Sequence, residues 1–324
     1  MERRKFRERH CPVILMGLFI LLVPGLVGSA AGSTLTAQEL IRRHLASIAP
    51  SDQLESRQAF AVQGDCEYRL LSGGALAAAG TGQLVSEGKA YNVLFDFAPG
   101  EYAGTEYITD GKRTEIEYRS GGQVNPLWIF LQGQDALLTE GLLGGALTTA
   151  WALLDVDGRK PKLQYRGTED VDGRPLHRLD YRMRKGGRDL KVRLYFEPET
   201  YHHVLSTYEV TVTAPLGPSP EASARQRVAR QRVEESFADF ENLDGYTLPK
   251  TWTLKYFKTA NDGDAPWTLN LAPGVDPAAR AAGPALTSTT PTGTFLLQWT
   301  TTVRRTARNG EIPVDMLKTL LEMD

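Results

Sequence analysis

Most of the chain alternates apolar and polar positions, which is the pattern of β-strands with one buried face. In residues 190–196 the apolar side chains fall on one face, while Lys191 and Arg193 fall on the other. Turn dipeptides such as Asp172-Gly173 separate runs of this kind and favour tight hairpins. The pattern therefore predicts an α+β, mostly β protein whose curved antiparallel sheet has one dry face and one solvated face.

A different periodicity at the start of the chain predicts one amphipathic helix. Between Ala37 and Ile48 the apolar residues recur at helical spacing, and Thr36 with Glu39 fits a capping box. The helix is expected to end near Pro50. His44 lies on its apolar face, and we interpret it as a residue at the edge of the core rather than a metal ligand, because no second ligand follows one turn later.

The stretch from Leu137 to Leu154 is the most apolar after the N-terminus, and its composition predicts a long buried helix. It is apolar on all sides, so it must be covered on more than one side. Its 14 residues from Gly141 onward would make a helix of about 21 Å, shorter than the roughly 30 Å of a bilayer core. Gly144-Gly145 disfavours a helix interior, which makes two shorter helices with a bend the more specific prediction.

The first 31 residues have the features of an export signal that is removed from the mature protein. A basic start precedes an apolar run from Val13 to Val27, and small residues follow. An uncleaved membrane anchor is the alternative, although Pro24 and Gly25 interrupt the run. Arg3-Arg4-Lys5 resembles part of a twin-arginine signal, so the export route stays open between that route and ordinary secretion. No stable transmembrane span is expected in the mature protein.

The rest of the chain, 32–324, is expected to form a single domain with one flexible insertion. Residues at about 261–291 are rich in alanine, proline, glycine and threonine, a composition that cannot build a packed core. Of the two cysteines, Cys11 lies within the signal, so Cys66 has no partner for an internal disulfide.

The charge balance disfavours one class of partner, nucleic acids. The whole chain has a net charge of −2, and residues 1–31 contribute five basic and two acidic side chains. The mature protein is therefore more acidic than the whole chain, which disfavours nucleic-acid binding.

No pattern in the chain predicts catalysis, a cofactor or a metal site. The nucleophile elbow, phosphate-binding loop, dinucleotide fingerprint and zinc-protease motif are all missing from the sequence. His202 and His203 are adjacent in a predicted strand, so they point to opposite faces and cannot hold one metal together. We therefore expect a protein that is not an enzyme.

An apolar sheet face beside an apolar helix predicts a cavity for an apolar ligand. Its candidate lining residues come from the apolar stretch and from the strands: Leu138, Leu142, Leu143, Leu147, Trp151, Phe95, Phe97, Leu194, Phe196, Trp252 and Trp299. A separate basic run is a candidate contact for a partner or anionic lipid, with a solvated strand edge as the alternative: Arg225, Arg227, Arg230 and Arg232.

The order of these elements resembles the LolA-like periplasmic lipoprotein-carrier fold, a half-barrel with helices on its concave face. The residues that carry the resemblance are the ITDGK turn at 108–112, the segment EGLLGGALTTAWALLD at 140–155, and the strands from KLQYRGTEDVDGRPLHRLDY to DLKVRLYFEPETYHHVLSTYEV. The last two are similar to uncharacterised exported bacterial proteins described as outer-membrane lipoprotein-sorting-like.

This resemblance implies that the protein binds or carries lipid or lipoprotein acyl chains in the periplasm or at the outer membrane. The same fold could instead serve as an envelope sensor or a protein-interaction module. The carriers have a basic residue that contacts their lid, but no short motif places it on a numbered position here.

Overall fold

A computed structural model describes residues 35–70, 76–98, 102–118, 125–187, 189–213, 228–259 and 294–321. The predicted signal at 1–31 and the predicted insertion at about 261–291 lie outside these residues. Arg225 and Arg227 lie outside them as well. The fold is therefore described for the remaining chain.

Twelve strands form one open antiparallel sheet in the order β5-β4-β3-β2-β1-β12-β11-β10-β9-β8-β7-β6. Their bounds are β1 (Ala59–Leu70), β2 (Leu76–Glu87), β3 (Ala90–Phe97), β4 (Gly104–Thr109), β5 (Thr114–Tyr118), β6 (Lys162–Val171), β7 (Arg174–Arg182), β8 (Leu190–Phe196), β9 (His203–Thr213), β10 (Val228–Leu243), β11 (Tyr246–Thr259) and β12 (Thr294–Arg308). Sequential strands pair with each other, and β1 pairs with β12 to join the two halves. The predicted mostly β fold class is confirmed.

The sheet is strongly curved, as aromatic contacts between distant strands show. Phe95 on β3 stacks on Trp252 of β11 with ring centroids 5.7 Å apart, although β2, β1 and β12 lie between those strands. In a flat sheet, four strand spacings would separate the two residues by about 19 Å. The sheet is therefore a half-barrel, and these rings lie on its concave face.

Helix α1 (Ala37–Ile48) has the predicted bounds and packs into the concave face. The Thr36 side chain caps it by accepting a hydrogen bond from the Glu39 amide at 3.2 Å. The Glu39 carboxylate instead pairs with Arg42 and Arg43, so only half of the predicted capping box forms. A short α2 (Ser51–Ser56) follows and leads into β1.

Residues 126–159, which we call the plug, connect β5 to β6 in the chain and cover the concave face of the sheet. The plug contains α3 (Pro126–Gly133), α4 (Ala136–Thr139), two 3₁₀ turns (Gly145–Leu147 and Ala152–Asp155) and α5 (Val156–Arg159). None of the described helices is long and apolar enough to cross a membrane.

The predicted long helix over Leu137–Leu154 is wrong, and so are the two shorter helices with a bend. Three glycines in this stretch have positive φ angles: +69° at Gly141, +84° at Gly144 and +50° at Gly145. A left-handed residue cannot continue a right-handed helix, so each glycine breaks the helical path. The stretch therefore folds into short turns.

The last described segment of the chain forms a helix. This helix, α6 (Val314–Leu321), packs on the convex face of the sheet. There Leu320 joins a small second core with Ala59, Ala61 and Val85. Both faces of the sheet are thus partly covered.

Candidate ligand site: the plugged concave face

All eleven predicted cavity residues are buried and belong to one core cluster. Six lie on strands: Phe95, Phe97, Leu194, Phe196, Trp252 and Trp299. Five lie in the plug: Leu138, Leu142, Leu143, Leu147 and Trp151. The structure brings the two groups together, so in this state the plug fills the concavity that the strands form.

Among the described residues, a small cavity with a volume of about 10 Å³ lies beside the plug. It is lined by residues outside the predicted set, among them His44, Ala146, His203 and Phe237. This volume is close to the minimum needed for one water molecule. It is far too small for an acyl chain while the plug is in place.

The buried plug is irregular, so some of its backbone polar groups are paired within the plug and others need partners from the rest of the molecule. Two tyrosines of the sheet supply them. The Tyr91 hydroxyl on β3 donates to the Leu138 carbonyl at 3.0 Å, and the Tyr208 hydroxyl on β9 donates to the Leu142 carbonyl at 2.8 Å. These bonds fasten consecutive turns of the plug to strands on opposite sides of the half-barrel.

Arg57, which follows α2, holds the next turn of the plug. Its guanidinium donates to the Ala146 carbonyl at 3.2 Å and to the Thr148 carbonyl at 3.1 Å. The same group lies over the rings of Phe60 and Tyr246. Burial lowers the pKa of Arg57 to about 10, so the side chain stays charged at neutral pH. The plug carbonyls therefore receive a charged donor from a buried site.

Arg159, at the end of the plug, fastens the plug to itself. Its guanidinium donates to the Thr139 carbonyl at 3.2 Å and to the Ala150 carbonyl at 3.0 Å. It lies 3.9 Å from the carboxylate of Glu140, which accepts from the Tyr181 hydroxyl at 2.6 Å. This group ties both ends of the plug's apolar stretch to β7.

Glu235 is a buried carboxyl that faces the plug from β10. Its Oε1 accepts from the Gly144 amide at 2.6 Å and from the Trp252 indole at 2.7 Å. Its Oε2 lies 2.9 Å from the Tyr208 hydroxyl. Burial raises the pKa of Glu235 to about 7, although these three hydrogen bonds oppose the rise.

His44 is fully buried and holds the plug's tryptophan, which makes it more central than the predicted core-edge residue. The Trp151 indole donates to His44 Nε2 at 3.1 Å, so Nδ1 carries the proton and donates to the Tyr201 carbonyl at 3.1 Å. Burial lowers the pKa of His44 to about 4, and the ring is neutral. The ring of His203 stacks on Trp151 at 4.9 Å.

The described histidines are not grouped as metal ligands. Over the described ranges, no group of three or more His, Cys, Asp or Glu side chains is placed to hold a metal ion. His203 is buried, while His202 lies just before β9 and stacks on Phe240 with ring centroids 4.2 Å apart. Both side chains line the small cavity beside the plug, although the sequence predicted that they point to opposite faces. Cys66 is buried, and burial raises the pKa of its thiol to about 12.

Only part of the predicted basic run can be placed, because Arg225 and Arg227 lie outside the described residues. Arg230 is exposed on β10. The Arg232 guanidinium lies over the Phe257 ring at 4.8 Å and pairs with Glu234 at 2.7 Å. Arg232 is therefore engaged within the sheet, which leaves Arg230 as the described part of a candidate contact.

Sequence reasoning missed Arg57 and Glu235, the charged side chains that hold the plug. Glu235 does leave a signal, because it occupies the apolar phase of the alternation between Val233 and Phe237. Arg57 leaves none, since it lies in a polar connection beside other charged residues.

Comparisons with known proteins agree with the predicted type of fold. No protein-family model and no curated protein match the chain. Among solved structures, a LolA superfamily protein from Nitrosomonas europaea matches with 13% identity over 87% of this chain and 96% of that chain, at a TM-score of 0.41. A DUF1329 family protein from Desulfovibrio piger matches with 11% identity over 86% and 95%, also at 0.41.

A third similar structure, an outer membrane lipoprotein-sorting protein domain from Vibrio parahaemolyticus, has 9% identity over 88% of this chain and 97% of that chain, at a TM-score of 0.40. These structures include the fold family that the sequence resembles. At such identities and TM-scores the similarity concerns the fold alone.

Proposed function

We propose that the protein binds lipid or lipoprotein acyl chains on the concave face of its half-barrel, in the periplasm, without catalysis. The proposal rests on how the plug is built and attached. An apolar, irregular segment covers an aromatic sheet face and is fastened to the rest of the molecule by a few side chains. Such a segment can leave the sheet as a unit, and an apolar ligand can take its place.

The energetics of exchange favour an acyl chain. The plug's leucines and Trp151 are buried against the aromatic rings of the sheet. If an acyl chain covers those rings, the sheet keeps its apolar burial, because the hydrophobic effect is non-directional. The cost of exchange then comprises the lost burial of the plug's own apolar side chains and the hydrogen bonds that Tyr91, Tyr208 and Arg57 make with the plug. Both contributions set how often the plug opens.

Ligand binding should therefore depend on the population of open protein. When only a fraction of molecules is competent to bind, the apparent affinity falls by that fraction. A variant that weakens one fastening should bind apolar ligands more tightly than the unaltered protein. Arg57→Met is suitable because it removes two hydrogen bonds to the plug and keeps an apolar stem.

The test is native mass spectrometry of the mature protein with extracted bacterial lipids, together with displacement of an apolar fluorescent probe by fatty acids. We expect bound lipid, and tighter probe binding for Arg57→Met. Arg42→Met is the matched control, because Arg42 is an exposed arginine on α1 whose guanidinium pairs with Glu39. Absence of lipid and of probe uptake in both the unaltered protein and Arg57→Met would refute the proposal.

An envelope sensor or protein-interaction module with the same fold is the second candidate. The exposed Arg230 and its neighbours in the basic run would then contact the partner. Neutralising Arg225, Arg227, Arg230 and Arg232 should abolish recovery of that partner from envelope extracts, while lipid binding is unchanged. A partner that is retained by this variant would exclude a role for the basic run.

A further inference from the structure

The hydrogen bonds around Glu235 indicate whether its carboxyl group carries a proton. The Tyr208 hydroxyl has one hydrogen, but it lies 2.8 Å from the Leu142 carbonyl and 2.9 Å from Glu235 Oε2. The carbonyl can only accept, so it needs that hydrogen. Both contacts are then hydrogen bonds only if Oε2 carries a proton and donates it to the tyrosine oxygen.

The other oxygen of Glu235 is satisfied in either protonation state. Oε1 accepts from the Gly144 amide and from the Trp252 indole, which are neutral donors. With a protonated Oε2, every donor and acceptor in this group has a partner. With an ionised carboxylate, the tyrosine hydrogen is claimed by two acceptors, and the charged acceptor is the stronger one.

The groups that face Glu235 do not supply a compensating charge. The titratable groups that interact electrostatically with Glu235 are Tyr208 on β9 and Tyr91 on β3. Both tyrosines are neutral, because burial raises their pKa values well above the usual value. The plug contributes an amide and β11 an indole. Within the described part of the chain, Glu235 makes no ion pair, and Arg57 and Arg159 donate to plug carbonyls elsewhere.

We infer that the proton on Glu235 is a switch that closes the plug. When the proton is present, Tyr208 donates to the Leu142 carbonyl and the plug is fastened at that turn. When the proton leaves, Tyr208 donates to the carboxylate and the carbonyl loses its partner, so the plug opens more often. The switch rests on the proposed function only for the identity of what enters when the plug opens.

The direction of the pH effect follows from proton linkage. In the closed state burial raises the pKa of Glu235 to about 7, whereas a carboxyl exposed by opening returns to its usual value of 4.5. The closed state thus binds the proton more tightly, and raising the pH favours opening. The open fraction should rise about tenfold per pH unit between these two values and level off above the higher one.

Hydrogen exchange measured by mass spectrometry on the mature protein tests the switch. Exchange of peptides from residues 136–154 is compared between the unaltered protein and Glu235→Gln at each pH, so that the intrinsic effect of pH on exchange cancels. We expect the ratio of exchange rates, unaltered protein over Glu235→Gln, to rise at least tenfold from pH 5 to pH 7. Glu241→Gln is the matched control, because Glu241 lies on the same strand and pairs at the surface with Lys250.

Two results would overturn the inference: a ratio that does not change with pH, or loss of the pH response in Glu241→Gln. If Glu235→Gln does not fold, a ¹³C NMR titration of glutamate side chains in the unaltered protein replaces it. There, a Glu235 that is already ionised at pH 5 refutes the switch, and one that titrates near neutral pH supports it. Lipid binding is measured separately, so failure of the proposed function would not be mistaken for failure of the switch.

Discussion

The plug and the concave face of the sheet both contribute buried apolar side chains to one core, but they are held in place by different bonds. Leu142 in the plug and Leu194 on β8 are both inaccessible to solvent. The backbone around Leu194 is paired on both sides in regular ladders with β7 and β9. The Leu142 amide bonds to the Leu137 carbonyl within the plug, but the Leu142 carbonyl and the Gly144 amide take side-chain partners, Tyr208 and Glu235. Burial alone therefore does not distinguish a permanent core from a replaceable one.

This difference predicts how each region responds to a single substitution. A ladder spreads its hydrogen bonds over many residues, so one substitution in a strand leaves the others in place. The plug concentrates its attachment in a few side chains, and the loss of one leaves a buried carbonyl or amide without a partner. Substitutions at those side chains should open the plug while the sheet stays folded.

Trp151→Ala should have the largest effect, because it removes a fully buried side chain that His44 and His203 hold. If the plug is a structural core like the sheet, the free energy of unfolding should fall by ~3–5 kcal/mol. Urea denaturation measures it. A loss below ~1 kcal/mol together with lost ligand binding would mean instead that Trp151 lines a site that opens easily.

The pH dependence of stability should be the next largest effect. The folded-state pKa of Glu235 is raised to about 7 from 4.5, so its contribution to stability is fully present below the lower value and is lost as the pH rises through the higher one. This loss amounts to about 3 kcal/mol. Urea denaturation between pH 4 and pH 8 should show it for the unaltered protein relative to Glu235→Gln. Parallel stability curves for the two proteins would contradict this prediction.

The strands of the sheet were predictable from the sequence because each strand and hairpin turn is determined by residues that are close together in the chain. Alternation such as that around Leu194 reflects the two-residue period of a strand, and dipeptides such as Asp172-Gly173 mark the hairpins. The bounds of α1 followed from helical spacing and a cap in the same way. The pairing of β1 with β12 could not be predicted by such rules, because it joins segments far apart in the chain.

The plug was not predictable for the opposite reason. Its apolar composition favoured a helix, but the conformations of Gly141, Gly144 and Gly145 are set by what surrounds them. A Cβ atom at Gly141 would lie 1.9 Å from the Ala150 carbonyl oxygen, a clash that only the folded arrangement reveals. The candidate apolar residues were found from pattern alone. The side chains that fasten them were missed, since Arg57 contacts residues about 90 positions away.

Arg57→Met should loosen the plug more than the sheet. Two plug carbonyls lose their donors, each at a cost of ~1–3 kcal/mol, and removal of a buried charge offsets part of this cost. We expect a net loss of ~1–3 kcal/mol that is concentrated in hydrogen exchange of the plug. Arg42→Met, an exposed control, should change stability by less than ~0.5 kcal/mol. Equal loss of protection in β6–β9 would show that plug and sheet unfold together.

Thr36→Ala should have the smallest effect, and it separates α1 from the plug. The substitution removes the side-chain acceptor for the Glu39 amide, and loss of such a cap costs ~1 kcal/mol. Because α1 carries His44, which accepts from Trp151, a plug that depends on α1 should exchange faster in this variant as well. Hydrogen exchange of α1 and the plug in one experiment distinguishes the cases. Faster exchange confined to α1 would mean that the side chains of the sheet and Arg57 are sufficient to hold the plug.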